Sequence, residues 1–204
     1  MDKYFIALEP ELKLKNLINS KKSFIRNLIG DQKYLSEEPH TTLIVLTSES
    51  IAELLDEIEK ISLITEKIKL NITGLNVFFK DVLTDNNTLV CSFDQNSLKK
   101  LRNFQIDLIK KIDKFNTKKS ILINSKDYLK FNEQEREKIK EYGFPYIEDN
   151  WIPHITLASI EENKFKRVFD VIEKNDMKES YFLDHISLYN ISQSNLLVKK
   201  FKLK

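Results

Sequence analysis

Apolar residues along this chain recur every second position in some stretches and every 3.6 or so in others, the mark of alternating strands and helices. Tyr4-Phe5-Ile6-Ala7-Leu8 is short, aromatic and β-branched, and Pro10 closes it, which predicts a strand. Leu14, Leu17, Ile18, Phe24, Ile25 and Leu28 suggest a helix that Gly30 stops. A second strand is predicted over residues 39–46. Beyond it, Ser50-Ile51-Ala52-Glu53 has capping-box spacing, and Ile51, Leu54, Leu55, Ile58 and Ile61 form one helical stripe. Residues 67–93 return to the shorter period. Ile68, Leu70 and Ile72 alternate with polar residues, Val77-Phe78-Phe79 follow Gly74, and Leu89–Phe93 follow the turn-forming Asp85-Asn86-Asn87, so three antiparallel strands are expected. A long amphipathic helix then runs through Leu98, Leu101, Ile109, Ile112 and Phe115.

Residues 117–150 are the least regular part of the chain. Ser120–Ile123 reads as a strand, and Asn132 with Glu135 has N-cap and N3 spacing for a short charged helix ending at Gly143. Phe144-Pro145-Tyr146-Ile147 leads to Trp151 and a further strand. Ser159-x-x-Glu162 is another capping box, opening a helix with Phe165, Val168, Phe169 and Ile172 on one face. Two strands, Tyr181–Ile191 and Leu196–Leu203, end the chain. The lysine pairs Lys21-Lys22, Lys99-Lys100, Lys110-Lys111 and Lys118-Lys119 are scattered and read as solvent faces.

Two of the predicted strands open on one pattern, Pro-His-x-Thr-Leu: Pro39-His40-Thr41-Thr42-Leu43 and Pro153-His154-Ile155-Thr156-Leu157. In a strand, residues i and i+2 project to the same side, so His40 points with Thr42 and His154 with Thr156. The chain has only three histidines, and two of them occupy this frame. Each copy is followed by a capping signal, a helix and then strands, a weak internal repeat that implies two pseudo-symmetric α+β lobes. The matched pair implies two half-sites facing each other across a cleft. The third histidine, His185, lacks the threonine partner and reads as structural or surface.

Composition narrows the ligand. The chain's 204 residues suffice for one sizeable domain with a real core. Its 33 basic and 31 acidic residues leave a net charge of +2, too balanced for clamping long duplex nucleic acid but open to a small anion held by a few donors. A single cysteine excludes an internal disulfide; Cys91 lies in the apolar run Leu89–Phe93 and reads as a buried strand residue. A cytoplasmic setting is expected. The chain turns polar by Glu9, too soon for a signal peptide, and no apolar run approaches the length of a membrane span. A monomer without membrane contact is expected.

Imidazole is the side chain best suited to proton transfer near neutrality. A histidine on each side of a phosphodiester supplies a base for the attacking hydroxyl and an acid for the leaving oxygen. Each threonine donates to a non-bridging oxygen where negative charge builds up. Such a site needs no metal and no cofactor. Neither motif is accompanied by a cluster with metal-ligand spacing, and the sequence has no Gly-rich phosphate loop. Tyr146 and Trp151 precede the second motif and can stack on a base or pack in the core. Lys126, Lys130 and Arg136 are within reach of a phosphate from the irregular region, or are solvated.

The paired motif resembles the 2H phosphoesterase superfamily, which includes 2′-5′ RNA ligase-like proteins, cyclic nucleotide phosphodiesterases and enzymes that cleave 2′-5′ oligoadenylates. Tyr4–Leu8 resembles the family's opening strand, Trp151–Ala158 its second motif, and Ile186-Ser187-Leu188-Tyr189 with Phe201-Lys202-Leu203 its closing strands. The arginine common after the second motif in the ligase-like group is absent, with Ser159 or Ile160 near that point. The resemblance implies a single bilobal α+β domain over residues 1–204. Each lobe carries an antiparallel sheet flanked by helices, and the cleft lies between them with residues 117–150 as a variable region on its border. It also implies a metal-independent phosphodiesterase, with catalytic roles for His40, Thr42, His154 and Thr156. Tyr146, Trp151 and Lys126 are candidate substrate contacts. The candidate substrates the resemblance implies are a 2′-5′-linked oligonucleotide, a 2′,3′-cyclic phosphate and a cyclic oligonucleotide. The rivals are RNA 2′-5′ end-joining and a nucleotide-binding module without turnover.

Overall fold

A computed structural model describes residues 2–117, 126–172 and 177–204. The strand expected over Ser120–Ile123 lies outside them. The described chain runs β1 (Asp2–Pro10), α1 (Leu12–Ile29), β2 (Thr41–Ser48), α2 (Ile51–Ile64), β3 (Ile68–Phe78), β4 (Asn87–Phe93), α3 (Gln95–Ile112), α4 (Glu133–Tyr142), β5 (Ile155–Ile160), α5 (Glu162–Ile172), β6 (Ser180–Asn190) and β7 (Leu196–Lys202). The strands form an antiparallel sheet in the order β2-β1-β6-β3-β4-β5, with β7 also paired to β6.

One strand joins the two halves of this sheet. Ile68 to Asn71 of β3 pair with Leu183 to Ser180 of β6, whereas Ile72 to Phe78 pair with Phe93 to Thr88 of β4. The change of partner coincides with a register shift between Ile72 and Gly74, where Gly74 takes φ 134°, a value that side-chain-bearing residues rarely adopt. Residues 67–93 therefore hold two strands and not three. The segments on either side of Gly74 are one bent strand, and the glycine marks the bend.

Helix α1 departs from expectation in another way. Its inward stripe contains Leu14, Ile18 and Ile25 but also Lys21 and Lys22, both buried. Lys22 is 3% exposed, and its Nζ donates to the carbonyls of Tyr34 (2.8 Å) and Glu37 (2.6 Å), pinning the loop that leads to the first motif. Lys22 reads as solvent-facing in sequence because its partners are main-chain atoms, which leave no trace in residue identity.

The helix starts also divide. Asn132 and Glu135 form the expected capping box of α4, and Gly143 ends it in the left-handed region. Ser50 makes no side-chain cap bond to α2. Ser159 lies in β5, where its Oγ donates to Thr84 Oγ1 at 2.8 Å, and Glu161 supplies the carbonyl that opens α5. No helix among the described residues is long and apolar enough to cross a membrane.

Candidate active site

Both motifs fold the same way. The strand begins one residue after each histidine, at Thr41 and at Ile155. Each five-residue motif alternates buried and half-buried: Pro, x and Leu point inward, while His and Thr stay partly open. Each strand then carries a bulge at the motif's leucine. Ile6 faces Ile44 and Ala7 faces Thr42, which leaves Leu43 as the extra residue; Leu89 faces Ala158 and Val90 faces Thr156, which leaves Leu157. A bulge turns the strand locally and re-aims the side chains beside it. That it recurs at the same motif position makes the two halves structural copies.

The rings are held alike as well. His40 Nδ1 lies 2.7 Å from the Glu38 carbonyl, and His154 Nδ1 lies 2.7 Å from the Ile152 carbonyl. A carbonyl only accepts, so in each neutral ring Nδ1 carries the proton and Nε2 presents a lone pair. Among the described residues neither Nε2 has a partner, and neither do the hydroxyls of Thr42 and Thr156. Each half-site therefore offers one proton acceptor and one hydroxyl donor. Thr41 Oγ1 donates to the His154 carbonyl at 3.0 Å, which brings the two halves together.

Aromatic rings back both histidines from matching ladder positions. Two residues from the partner of each motif threonine stand Phe5 and Thr88, which face Tyr189 of β6 and Phe78 of β3. Phe5 and Tyr189 stack at 4.7 Å, and the His40 ring lies 5.1 and 6.1 Å from them. Phe78 meets His154 edge-on at 4.8 Å. Desolvation pushes His40 down to about 4; the Glu38 carbonyl and Glu9 oppose this, while Lys22 and His154 add to it. Desolvation also lowers His154, against the Ile152 carbonyl and the nearby Asp81 carboxylate.

Glu9 has no counterpart in the second half. It shares the face of Ala7 and Thr42, is 1% exposed, and accepts from Ser187 Oγ and Tyr189 OH at 2.6 Å each. Lys200 bonds it as well, and Lys15 approaches at 3.3 Å. Burial alone would raise its pKa, but the hydrogen bonds from Lys200, Ser187 and Tyr189 outweigh that and hold it at about 2. The corresponding ladder position in the other half is Ser92. The sequence pattern assigns no site role to Glu9, Tyr189 or Phe78. The available signal was an acid placed directly after the apolar run Tyr4–Leu8.

Of the expected substrate contacts, Tyr146 is half-buried, edge-on to Phe144 (5.6 Å) and Phe131 (6.2 Å). Trp151 is 4% exposed within the core and its carbonyl accepts from Arg102 Nε at 3.0 Å, so the indole packs and offers no face to a base. The side chain of Lys126 lies outside the described residues. Lys130 pairs with Asp85 and Asp127, and Arg136 helps line a cavity of about 300 Å³ with Tyr128 and Lys140, which no motif residue borders. His185 bonds Asp184 at 2.7 Å. Cys91 is fully buried, and burial raises its thiol to about 12. Among the described residues no group of three or more His, Cys, Asp and Glu side chains forms a metal site.

No protein-family model matches the sequence, and no curated protein matches it either. Solved structures do match the fold. LigT of E. coli complexed with 3′-AMP aligns with a TM-score of 0.54 at 14% identity, over 100% of this chain and 98% of that one. TT0787 of Thermus thermophilus aligns with a TM-score of 0.54 at 12% identity, over 98% and 97%. A structure described as a phosphoesterase aligns with a TM-score of 0.51 at 13% identity, over 100% and 99%. These likenesses run end to end in both chains. They show that this chain has the α+β fold of LigT and of the structure described as a phosphoesterase.

Proposed function

We propose that this chain is a metal-independent phosphodiesterase of the 2H kind, acting on a small RNA-like substrate. The observation that carries the reading is the matched state of His40 and His154. Each has Nδ1 tied to a carbonyl at 2.7 Å, each has Nε2 without a protein partner among the described residues, and each stands beside an unengaged threonine hydroxyl. On a 2′-5′ linkage, one Nε2 takes the proton of the neighbouring 3′-hydroxyl as that oxygen attacks phosphorus. The bond from phosphorus to the 5′ oxygen breaks, and the second histidine gives its proton to that oxygen. The products are a 2′,3′-cyclic phosphate and a free 5′-hydroxyl. On a cyclic phosphate, water replaces the attacking hydroxyl. Thr42 and Thr156 donate to the non-bridging oxygens as their charge grows.

The surroundings of the rings favour His40 as base and His154 as acid in the first of these steps. The ammonium of Lys22 disfavours a charge on His40 more than the Glu9 carboxylate favours one, whereas Asp81 favours one on His154. LigT in its 3′-AMP complex holds a nucleotide on this fold, which supports a nucleotide ligand here. The test is a panel of 2′-5′, 3′-5′, 2′,3′-cyclic and cyclic oligonucleotide substrates in excess EDTA, with products identified by mass. Turnover of at least one of them, lost in His40→Ala and His154→Ala, is the expected result. Turnover that survives both substitutions overturns the mechanism. Stoichiometric binding with unchanged ligand recovered would make the chain a binding module.

A further inference from the structure

The strands that follow the two histidines, β2 and β5, are the two ends of the strand order, and no backbone ladder among the described residues joins them. Two buried side chains do so instead. Thr41 is 1% exposed, and its Oγ1 donates to the His154 carbonyl at 3.0 Å. Gln105 of α3 is fully buried. Its Nε2 donates to the Leu43 carbonyl at 2.7 Å and to the Tyr146 carbonyl at 2.9 Å, and its Oε1 accepts from the Glu148 N–H at 3.1 Å. Leu43 is the bulged residue directly after Thr42, left without a cross-strand partner. Tyr146 and Glu148 lie in the segment that delivers Pro153 and His154. One amide thus spends all three of its bonds on main chain from both half-sites.

An apolar residue of similar shape would hold α3 against the sheet equally well, and a buried amide is tolerated only when its hydrogen bonds are made. What the amide adds is a fixed distance. Acid–base transfer across one phosphate requires both imidazoles within reach of opposite oxygens, and a misplacement of about 1 Å can cost about 10²-fold. The repeat is broken at this point: the counterpart of Thr41 in the second motif is Ile155, which has no hydroxyl.

We propose that Thr41 and Gln105 are positioning residues that set the separation of His40 and His154, tying together two motif strands that no backbone ladder pairs directly. This rests on the reading of the two histidines as an acid–base pair around one phosphate. Thr41→Val keeps the shape and removes the donor, Thr41→Ser keeps the donor, and Gln105→Met keeps the length and removes all three bonds. Two readouts are taken on each variant at a temperature where it is folded. One is kcat and KM on 2′-5′-linked adenylyl-adenosine; the other is the NMR response of the histidine rings to inorganic phosphate, with His185 as internal reference.

In the wild type, His40 and His154 should report one shared phosphate affinity while His185 stays still. Thr41→Val should lower kcat about 10-fold with little change in KM and weaken that shared affinity several-fold, Thr41→Ser should restore both, and Gln105→Met should lower kcat about 10²-fold. A folded Thr41→Val and Gln105→Met with wild-type kcat and wild-type phosphate response would overturn the proposal. Should the wild type fail to turn over the dinucleotide while the variants still weaken the shared phosphate response, positioning stands and the phosphodiesterase reading falls. Should the two rings report unrelated affinities in the wild type, there is no common phosphate to position around, and the proposal falls.

Discussion

The half of the molecule that holds His40 and the half that holds His154 are copies in backbone and unlike in support. Both histidines stand one residue before a strand, both hand Nδ1 to the carbonyl two residues back, and both motif strands bulge at leucine. Behind His40 lies a buried carboxylate, Glu9, held by Ser187, Tyr189 and Lys200, together with a stacked pair of rings. Behind His154 lie one edge-on ring and the half-buried Asp81, which accepts from Thr88 Oγ1 at 2.7 Å. Chemistry that needs two imidazoles in the same tautomer preserves the copy. Chemistry that needs one to take a proton and the other to give one requires the copy to be imperfect, and the differences sit in the layer beneath the motifs.

The sharpest way to break the comparison is to remove each histidine in turn. His40→Ala and His154→Ala should each cost about 10²–10⁴-fold in kcat on a dinucleotide. They should then part company on a nucleoside 4-nitrophenyl phosphate diester with a free neighbouring hydroxyl, whose leaving group needs no proton. His154→Ala should recover most of its rate there and His40→Ala should not. Recovery in the other variant would exchange the roles. The same division fixes the pH profile of kcat/KM, which follows the free enzyme. The base must be neutral, so the rate rises through about 4, where His40 titrates, and the acid must be protonated, so the rate falls again as His154 deprotonates below its ordinary 6.5.

Thr42→Ala and Thr156→Ala come next, each expected to cost about 10²–10³-fold in kcat if each acts as an oxyanion-type donor. Here the halves should behave alike, since both hydroxyls occupy the same position with respect to strand, bulge and histidine. Losses that differ by more than about 10-fold, roughly 1.4 kcal/mol, would show that the phosphate leans on one half.

Glu9→Gln should separate the halves by stability. The folded carboxyl titrates at about 2 and the unfolded one near 4.5, so its contribution is complete above the unfolded value and is lost as pH falls toward the folded one. The wild type should therefore lose stability steeply between pH 4.5 and 2, and the variant should lose less across that window. Leaving Lys200 and Lys15 without their buried anion should cost roughly 2–3 kcal/mol at neutral pH, read by denaturant titration. Equal acid sensitivity in both proteins would remove Glu9 from the account.

The two matched motif strands were legible because a repeat of five residues and the two-residue period of a strand are local properties. The α+β architecture followed from the same periodicities. Glu9 was not legible because its partners arrive from the far end of the chain: Tyr189 is 180 residues away and Lys200 is 191. Gln105 was hidden because it bonds only main chain, and Trp151 read equally as a base platform or as core because burial is a property of the fold and not of the residue. The bend at Gly74 made one strand look like two. These failures share a cause: each concerns which elements meet, and pattern along the chain reports only which elements exist.

The smallest effects test the ends of the two motif strands, where sequence promised the same device twice. Ser50 and Ser159 both precede an acid by three residues, yet Ser50 makes no cap bond, while Ser159 is buried in β5 and donates to Thr84 at 2.8 Å. Ser50→Ala should change stability by less than about 0.5 kcal/mol, as ordinary surface substitutions do. Ser159→Ala removes one partner of a hydroxyl pair and should cost about 1 kcal/mol, through a lost bond between β5 and the β3–β4 turn and not through α5. Helicity by circular dichroism should be unchanged in both, whereas an N-cap role for either serine would show as fraying of the helix that follows. Ser159 N–H also donates to the Lys33 carbonyl at 3.0 Å, so the strand end it holds is the one that touches the loop leading to His40. A loss in kcat from Ser159→Ala larger than its loss in stability would mean that this loop, and through it the first half-site, is supported from the second.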